Sequence, residues 1–220
     1  MIKLENVVLA SPEQMEFIIQ GMRNPMNSWE KSDSGYSNLC EKFIIGDRDV
    51  QLMQRLSDAG TEHRKYMRMM PVYVRITAPL YWWKELDTYK IGTITNSCST
   101  MHKIAEKEFT LEDFSIEHLN DDRSAELSNV EWLEHLIHHL NKDRLRFIET
   151  KDKQYWWQMI QLLPSSYNQT RNVMLNYEVL ANIYKQRKNH KLDEWREFCK
   201  WIEELPYSEL ITGKEGQVNG

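Results

Sequence analysis

The side chains most able to do chemistry are concentrated between His63 and Lys103, where the chain reads HRKYMRMMPVYVRITAPLYWWKELDTYKIGTITNSCSTMHK. Arg64, Lys65 and Arg68 form a local basic cluster able to hold a phosphate. Trp82 and Trp83 sit in a short helix, and a loop dense in Thr, Asn and Ser follows, with Asn96, Cys98 and Ser99 at its end. Polar groups gathered at the end of an aromatic helix are the makings of a small-molecule pocket. The plainer alternative is that Ser99 and Asn96 satisfy loop amides, and that both tryptophans are packing.

Two other constellations invite a chemical reading. Glu134, His135, His138 and His139 share a helix, and Glu134 with His138 is an i,i+4 pair of metal-ligand type. The order is not His-Glu-x-x-His, and Leu and Ile already account for that helix's inner stripe, so a polar helix face is the reading adopted. Cys98 is a thiol beside Ser99, but no partner base is identifiable to activate it.

The elements that must position these residues follow from pattern and punctuation. Ile2 to Leu9 reads as a strand. Ser11-Pro12-Glu13-Gln14 has the form of a capping box, and the helix it starts should fade near Met22 because Pro25 cannot continue it. Asn24 to Asn38 reads as loop. Asp47 to Ser57 is a helix with Val50, Met53 and Leu56 on one face, stopped by Gly60. Val72, Val74 and Ile76 alternate with Tyr73, Arg75 and Thr77 as in a half-buried strand. Pro79 opens a helix to about Asp87, and the dozen residues after it read as loop.

The remainder reads as helical. Ser128 caps a helix with Val130, Leu133, Leu136, Ile137 and Leu140 inward, and Asp152 to Leu163 follows, broken at Pro164. A third helix is expected over Gln169 to Arg187, with Val173, Asn176, Leu180, Ile183 and Tyr184 on one side. A fourth, Lys191 to Leu205, should bury Trp195, Phe198 and Ile202. Residues 1–212 are expected to form a single α+β domain, helix-rich with a small, mostly antiparallel sheet, and residues 213–220 a disordered tail.

The totals narrow the class. The chain has 220 residues, 41% hydrophobic and 28% charged, which is a globular composition long enough to bury a full core. The net charge of -5 argues against bulk attraction to nucleic acid. Cys40, Cys98 and Cys199 are odd in number and widely spaced, which suits a reducing compartment. With no signal peptide and no membrane-length apolar run, a cytoplasmic protein is expected.

With these residues in view, the chain resembles the flavin-dependent thymidylate synthases over roughly residues 1–205. Ala78-Pro79 and the helix behind it look like the approach to the family's Arg-His-Arg signature and its Ser/Asn/Ser loop. Thr88-Tyr89-Lys90 stands at the tripeptide. Asn96 and Ser99 fall on the loop's Asn and second Ser, and Glu85 stands where the family often has Gln. LPSSYNQTRNVMLNYEVLANIYKQRKNHKLDEWREF resembles the second signature region.

The resemblance implies a flavin-dependent thymidylate synthase fold, usually a homotetramer. It also implies FAD as cofactor, NADPH and methylene-tetrahydrofolate as co-substrates, and a nucleotide such as dUMP as substrate. By that resemblance His63, Tyr89, Lys90, Asn176 and Asn182 contact flavin. Glu85, Lys90, Asn96, Ser99 and Arg187 bind the nucleotide, with Ser99 and Arg187 in the catalytic positions. Several arginines of the family pattern are replaced: Thr88, Lys90, Met101 and Glu178 stand at arginine positions, and Ser97 at an acidic one. Each loss removes a planar bidentate partner for phosphate or carboxylate. Two functional readings follow: one-carbon transfer to a pyrimidine nucleotide with altered substrate, or a catalytically silent protein that senses or sequesters a nucleotide. A purely structural oligomer is the third.

Overall fold

Residues 1–37, 42–122 and 127–213 are described by a computed structural model. In chain order the regular elements are β1 (Lys3–Leu9), α1 (Pro12–Arg23), β2 (Gly35–Ser37), β3 (Lys42–Ile44), α2 (Asp47–Asp58), β4 (Pro71–Pro79), α3 (Leu80–Leu86) and β5 (Ile94–Ser97). They continue with α4 (Thr100–Lys103), α5 (Asn129–Thr150), α6 (Lys153–Leu162), β6 (Asn168–Asn176), α7 (Tyr177–Arg187), α8 (Asp193–Glu203) and α9 (Glu209–Thr212). The architecture is α+β and helix-rich with a small antiparallel sheet, as the sequence implies. One sheet has strand order β1-β4-β6-β5, and β2 pairs antiparallel with β3.

Contacts group the chain into two units, and every boundary but that between Thr88 and Tyr89 falls inside a strand. The first holds Met1–Lys3, Ile76–Thr88 and Asn96–Asn172; the second holds Leu4–Arg75, Tyr89–Thr95 and Val173–Gly220.

The first unit is built around the α5–α6 hairpin. Ser128 accepts the Glu131 amide while Glu131 accepts the Ser128 amide, so α5 begins where the capping pattern places it. Its inward stripe of Leu133, Ile137 and Leu140 packs with Ile104, Phe109, Phe114 and Met159. Lys151, at φ 58°, ends α5, and Asp152 caps α6 by accepting the Gln154 amide. Pro79 has no capping side chain to give α3; instead the Leu80 and Tyr81 amides donate to the carbonyls of Tyr167 and Ser165.

In the second unit the capping box at Ser11 starts α1. α8 buries Trp195, Phe198, Cys199 and Ile202 along one face. Arg23 and Asp49 form a buried ion pair at 2.6 Å. The second Asp49 oxygen accepts the hydroxyls of Ser32 and Ser34, each at 2.6 Å, and so fastens the 28–34 segment to α2.

Three expectations are corrected. The 24–38 loop contains two short 3-10 turns and β2, with Asn38 outside the described residues. The loop after α3 contains β5 and the single turn α4. The expected 169–187 helix starts only at Tyr177, because Asn168–Asn176 is strand. Val173 and Leu175 are buried on either side of the less buried Met174, a period of two. Extended backbone at Asn176 then lets its side chain cap α7. Leu, Met, Gln and Arg suit a helix locally, and pairing in the sheet overrides that preference. Residues 214–220 of the expected tail lie outside the described residues.

Candidate functional site

The predicted residues fall into two sets, one per unit. In the second unit, Arg187 ends α7 and lies against two aromatic rings. Its guanidinium carbon is 4.9 Å from the Trp195 ring centroid and 5.7 Å from that of Tyr89. Its Nε donates to the Tyr89 hydroxyl at 2.9 Å, and that hydroxyl donates to Gln186 Oε1 at 2.8 Å. The Tyr89 and Trp195 rings meet edge-on with centroids 6.1 Å apart. A guanidinium held this way has a fixed plane, and each ring contact contributes about 0.5–2 kcal/mol. Burial pushes the Cys199 thiol up to about 11; Glu203 adds to that rise and the Arg187 charge opposes it, so Cys199 is no nucleophile near neutral pH.

A second cluster surrounds Glu178, in the first turn of α7 and 7% exposed. Arg68 donates to it through both Nε and Nη2, Arg64 Nε lies 3.5 Å from it, and Arg64 Nη2 donates to Asn182 Oδ1 at 3.1 Å. The hydrogen bond from Arg68, then its Coulomb attraction to Glu178, holds that guanidinium above its ordinary range. The helix N-terminus favours the same carboxylate. Two cations of the basic cluster that could hold a phosphate therefore hold Glu178.

Asn176 Oδ1 accepts the Val179 amide at 3.0 Å as the cap of α7, and its amide nitrogen packs against Gly92 at φ +77°. His63 is exposed in the turn after α2, its amide bonded to the Gly60 carbonyl, and Lys90 is exposed.

The first unit contains Glu85, Asn96 and Ser99. Ser99 Oγ caps α4 by accepting the His102 amide at 3.2 Å, which leaves its hydroxyl hydrogen able to donate. Asn96 is exposed on β5, and the Glu85 carbonyl accepts the Thr88 amide and hydroxyl. Sequence reasoning missed Gln169, Arg171 and Asp87. Gln169 Nε2 donates to the Cys98 carbonyl and to Thr100 Oγ1, both at 3.0 Å, pinning the loop beside Ser99. Arg171 lies 4.2 Å over the Trp83 ring and donates to Gln169 and Asp87. Positions 169 and 171 share a face only at a strand's period, so reading the segment as helix hid the pair.

His135, His138 and His139 are exposed along an open groove with Trp132 and Leu136, and no group of three metal-binding side chains converges among the described residues. An apolar cavity of about 190 Å³ bounded by Leu9, Met15, Phe43, Met70, Tyr177 and Tyr207 includes none of the predicted residues. No helix among the described residues is long and apolar enough to cross a membrane.

No family model and no curated protein matches the chain by sequence. Solved structures do. Thymidylate synthase X (ThyX) from Helicobacter pylori, solved with FAD and dUMP, superposes at TM-score 0.65 with 18% identity, over 96% of this chain and 97% of that one. The chain has the flavin-dependent thymidylate synthase fold. A second ThyX structure from Helicobacter pylori, complexed with FAD and dUMP, gives TM-score 0.63 and 18% identity over 96% of each chain. The UMP/dUMP methylase PolB from Streptomyces cacaoi, bound with 5-Br dUMP, gives 0.63 and 13% over 97% of this chain and 94% of that one. Among the positions that the resemblance singles out, Arg187 donates to Tyr89, and Asn182 accepts from Arg64.

Proposed function

We propose that the chain binds a pyrimidine nucleotide and modifies its base by one-carbon transfer, as a thymidylate synthase-like enzyme with altered substrate. The observation that carries this reading is Arg187: an arginine held between Tyr89 and Trp195, in a fold shared with proteins solved with dUMP or its 5-bromo analogue. In this proposal Arg187, with Lys90, takes the phosphate. The resemblance assigns nucleotide contacts to Ser99, Asn96 and Glu85 as well, and the Ser99 hydroxyl hydrogen is able to donate. The working form is a homo-oligomer, four copies by resemblance.

The exposed His63 imidazole and the Asn182 amide hydrogens can donate to the carbonyl edge of a flavin ring. These donors would suit the ring, while Arg64 and Arg68, the cations that would neutralise a diphosphate, are paired with Glu178. When bound, flavin would carry electrons to the transferred carbon, with NADPH and methylene-tetrahydrofolate as co-substrates. This chain's residues bind, orient and neutralise.

Glu178 favours a second reading, a nucleotide binder without turnover, because a carboxylate at that place repels a cofactor's phosphates. One experiment separates the two. Under the enzymatic reading, purified protein is yellow or gains a bound-flavin spectrum with FAD, and dUMP at a hundredfold its Kd adds about 2.7 kcal/mol of stability. Under the second, dUMP raises the melting temperature while FAD does not bind. A melting temperature indifferent to both ligands would refute both readings. Arg187→Ala is expected to weaken dUMP binding by about 1.5–3 kcal/mol, measured by calorimetry.

A further inference from the structure

We infer that Tyr89 is a positioning residue, which sets the orientation of Arg187 toward the nucleotide phosphate rather than touching the ligand itself. The inference rests on the nucleotide-binding reading above. The polarity of the contact is fixed by its chemistry. Arg187 Nε–H can only donate, so the Tyr89 oxygen accepts at 2.9 Å; Gln186 Oε1 can only accept, so the phenol proton goes there, at 2.8 Å. The phenol therefore turns its lone pairs toward the guanidinium and its proton away from it. A guanidinium is planar, so fixing Nε and laying the group beside two rings also fixes the direction of its Nη fork.

The same geometry disfavours stacking on a ligand. The Tyr89 ring is half-buried, with Trp195 edge-on at 6.1 Å and the Arg187 guanidinium carbon 5.7 Å from its centroid. Phenylalanine at this position keeps those ring contacts and removes only the acceptor. Gln186→Leu acts from the other side: it removes the acceptor of the phenol proton and leaves Tyr89 and Arg187 in place.

The test compares wild type, Tyr89→Phe and Gln186→Leu by calorimetry with dUMP and with deoxyuridine, alongside the Nε–H signal of Arg187 in NMR spectra of the ligand-free protein. Tyr89→Phe is expected to lose about tenfold in dUMP affinity with deoxyuridine unchanged, and its Nε–H to exchange faster with solvent. Gln186→Leu is expected to show a smaller loss confined to dUMP. Should Tyr89→Phe fail to fold, Gln186→Leu carries the same comparison. Wild-type affinity for dUMP in both variants overturns the inference, and so does an equal loss for deoxyuridine, which would put Tyr89 against the base. A wild-type protein that binds no dUMP refutes the functional reading instead, whatever the Nε–H signal does.

Discussion

Glu178 is the residue that pairs the basic cluster of Arg64 and Arg68. A carboxylate in the first turn of α7, contacted by Arg68 and Arg64, turns a basic cluster into an internally paired one. Removing its charge without changing its size should have two opposite effects. Glu178→Gln leaves both guanidiniums without their counterion, which is expected to cost about 1–3 kcal/mol of stability in urea unfolding. The released donors should then strengthen binding of inorganic pyrophosphate and FAD, read from a phosphate-dependent rise in melting temperature and from flavin absorbance. Loss of stability with no gain for either anion would show that Arg64 and Arg68 serve only to tie the 61–69 turn to α7.

At the level of elements, the ends of helices decide where the candidate side chains stand. α7 starts at Tyr177 because Asn176 caps it, and the same Asn176 is pressed against the loop after α3 through Gly92. A Cβ on Gly92 would lie 2.6 Å from Asn176 Nδ2 and 3.0 Å from Val179 Cγ2, at a φ of +77° that L-residues rarely adopt. Gly92→Ala is therefore expected to destabilise the protein by about 1–3 kcal/mol. It should also shift the Asn176 side-chain amide signals in NMR, since the new methyl cannot be accommodated without moving them. Unchanged stability would mean that the loop relaxes away from α7 at no cost.

For the molecule's stability as a whole, the buried Arg23–Asp49 pair makes a contribution that depends on acid pH. Burial pushes the Asp49 carboxyl up, but hydrogen bonds from Ser32, Ser34 and Arg23, with the Arg23 charge, outweigh it and hold the group below its ordinary value of 3.8. A carboxyl depressed in the folded state contributes stability that is fully present above that ordinary value and is lost as pH falls through the folded one. Unfolding midpoints followed by near-ultraviolet circular dichroism should accordingly drop below pH 3.8 more steeply in wild type than in Asp49→Asn. At neutral pH Asp49→Asn should cost about 3–5 kcal/mol, because Arg23, 4% exposed, is left as a buried charge without its partner.

The capping boxes at Ser11 and Ser128, the stop at Gly60, the alternation of β4 and the inner stripes of α5 and α8 were all legible in the sequence, since each depends on side chains within a few residues of one another. The resemblance through Asn96, Ser99, Asn176, Asn182 and Arg187 pointed to the fold for the same reason: it is carried by residue types in order. Only the tertiary structure decided that Asn168–Asn176 is a strand, because the partners that override its helical composition lie far away in the chain. The partners of Glu178 and Arg187 were equally hidden, at separations of 110 residues to Arg68 and 98 to Tyr89. A charge can be read from a sequence, but which opposite charge or hydroxyl it meets is fixed by packing.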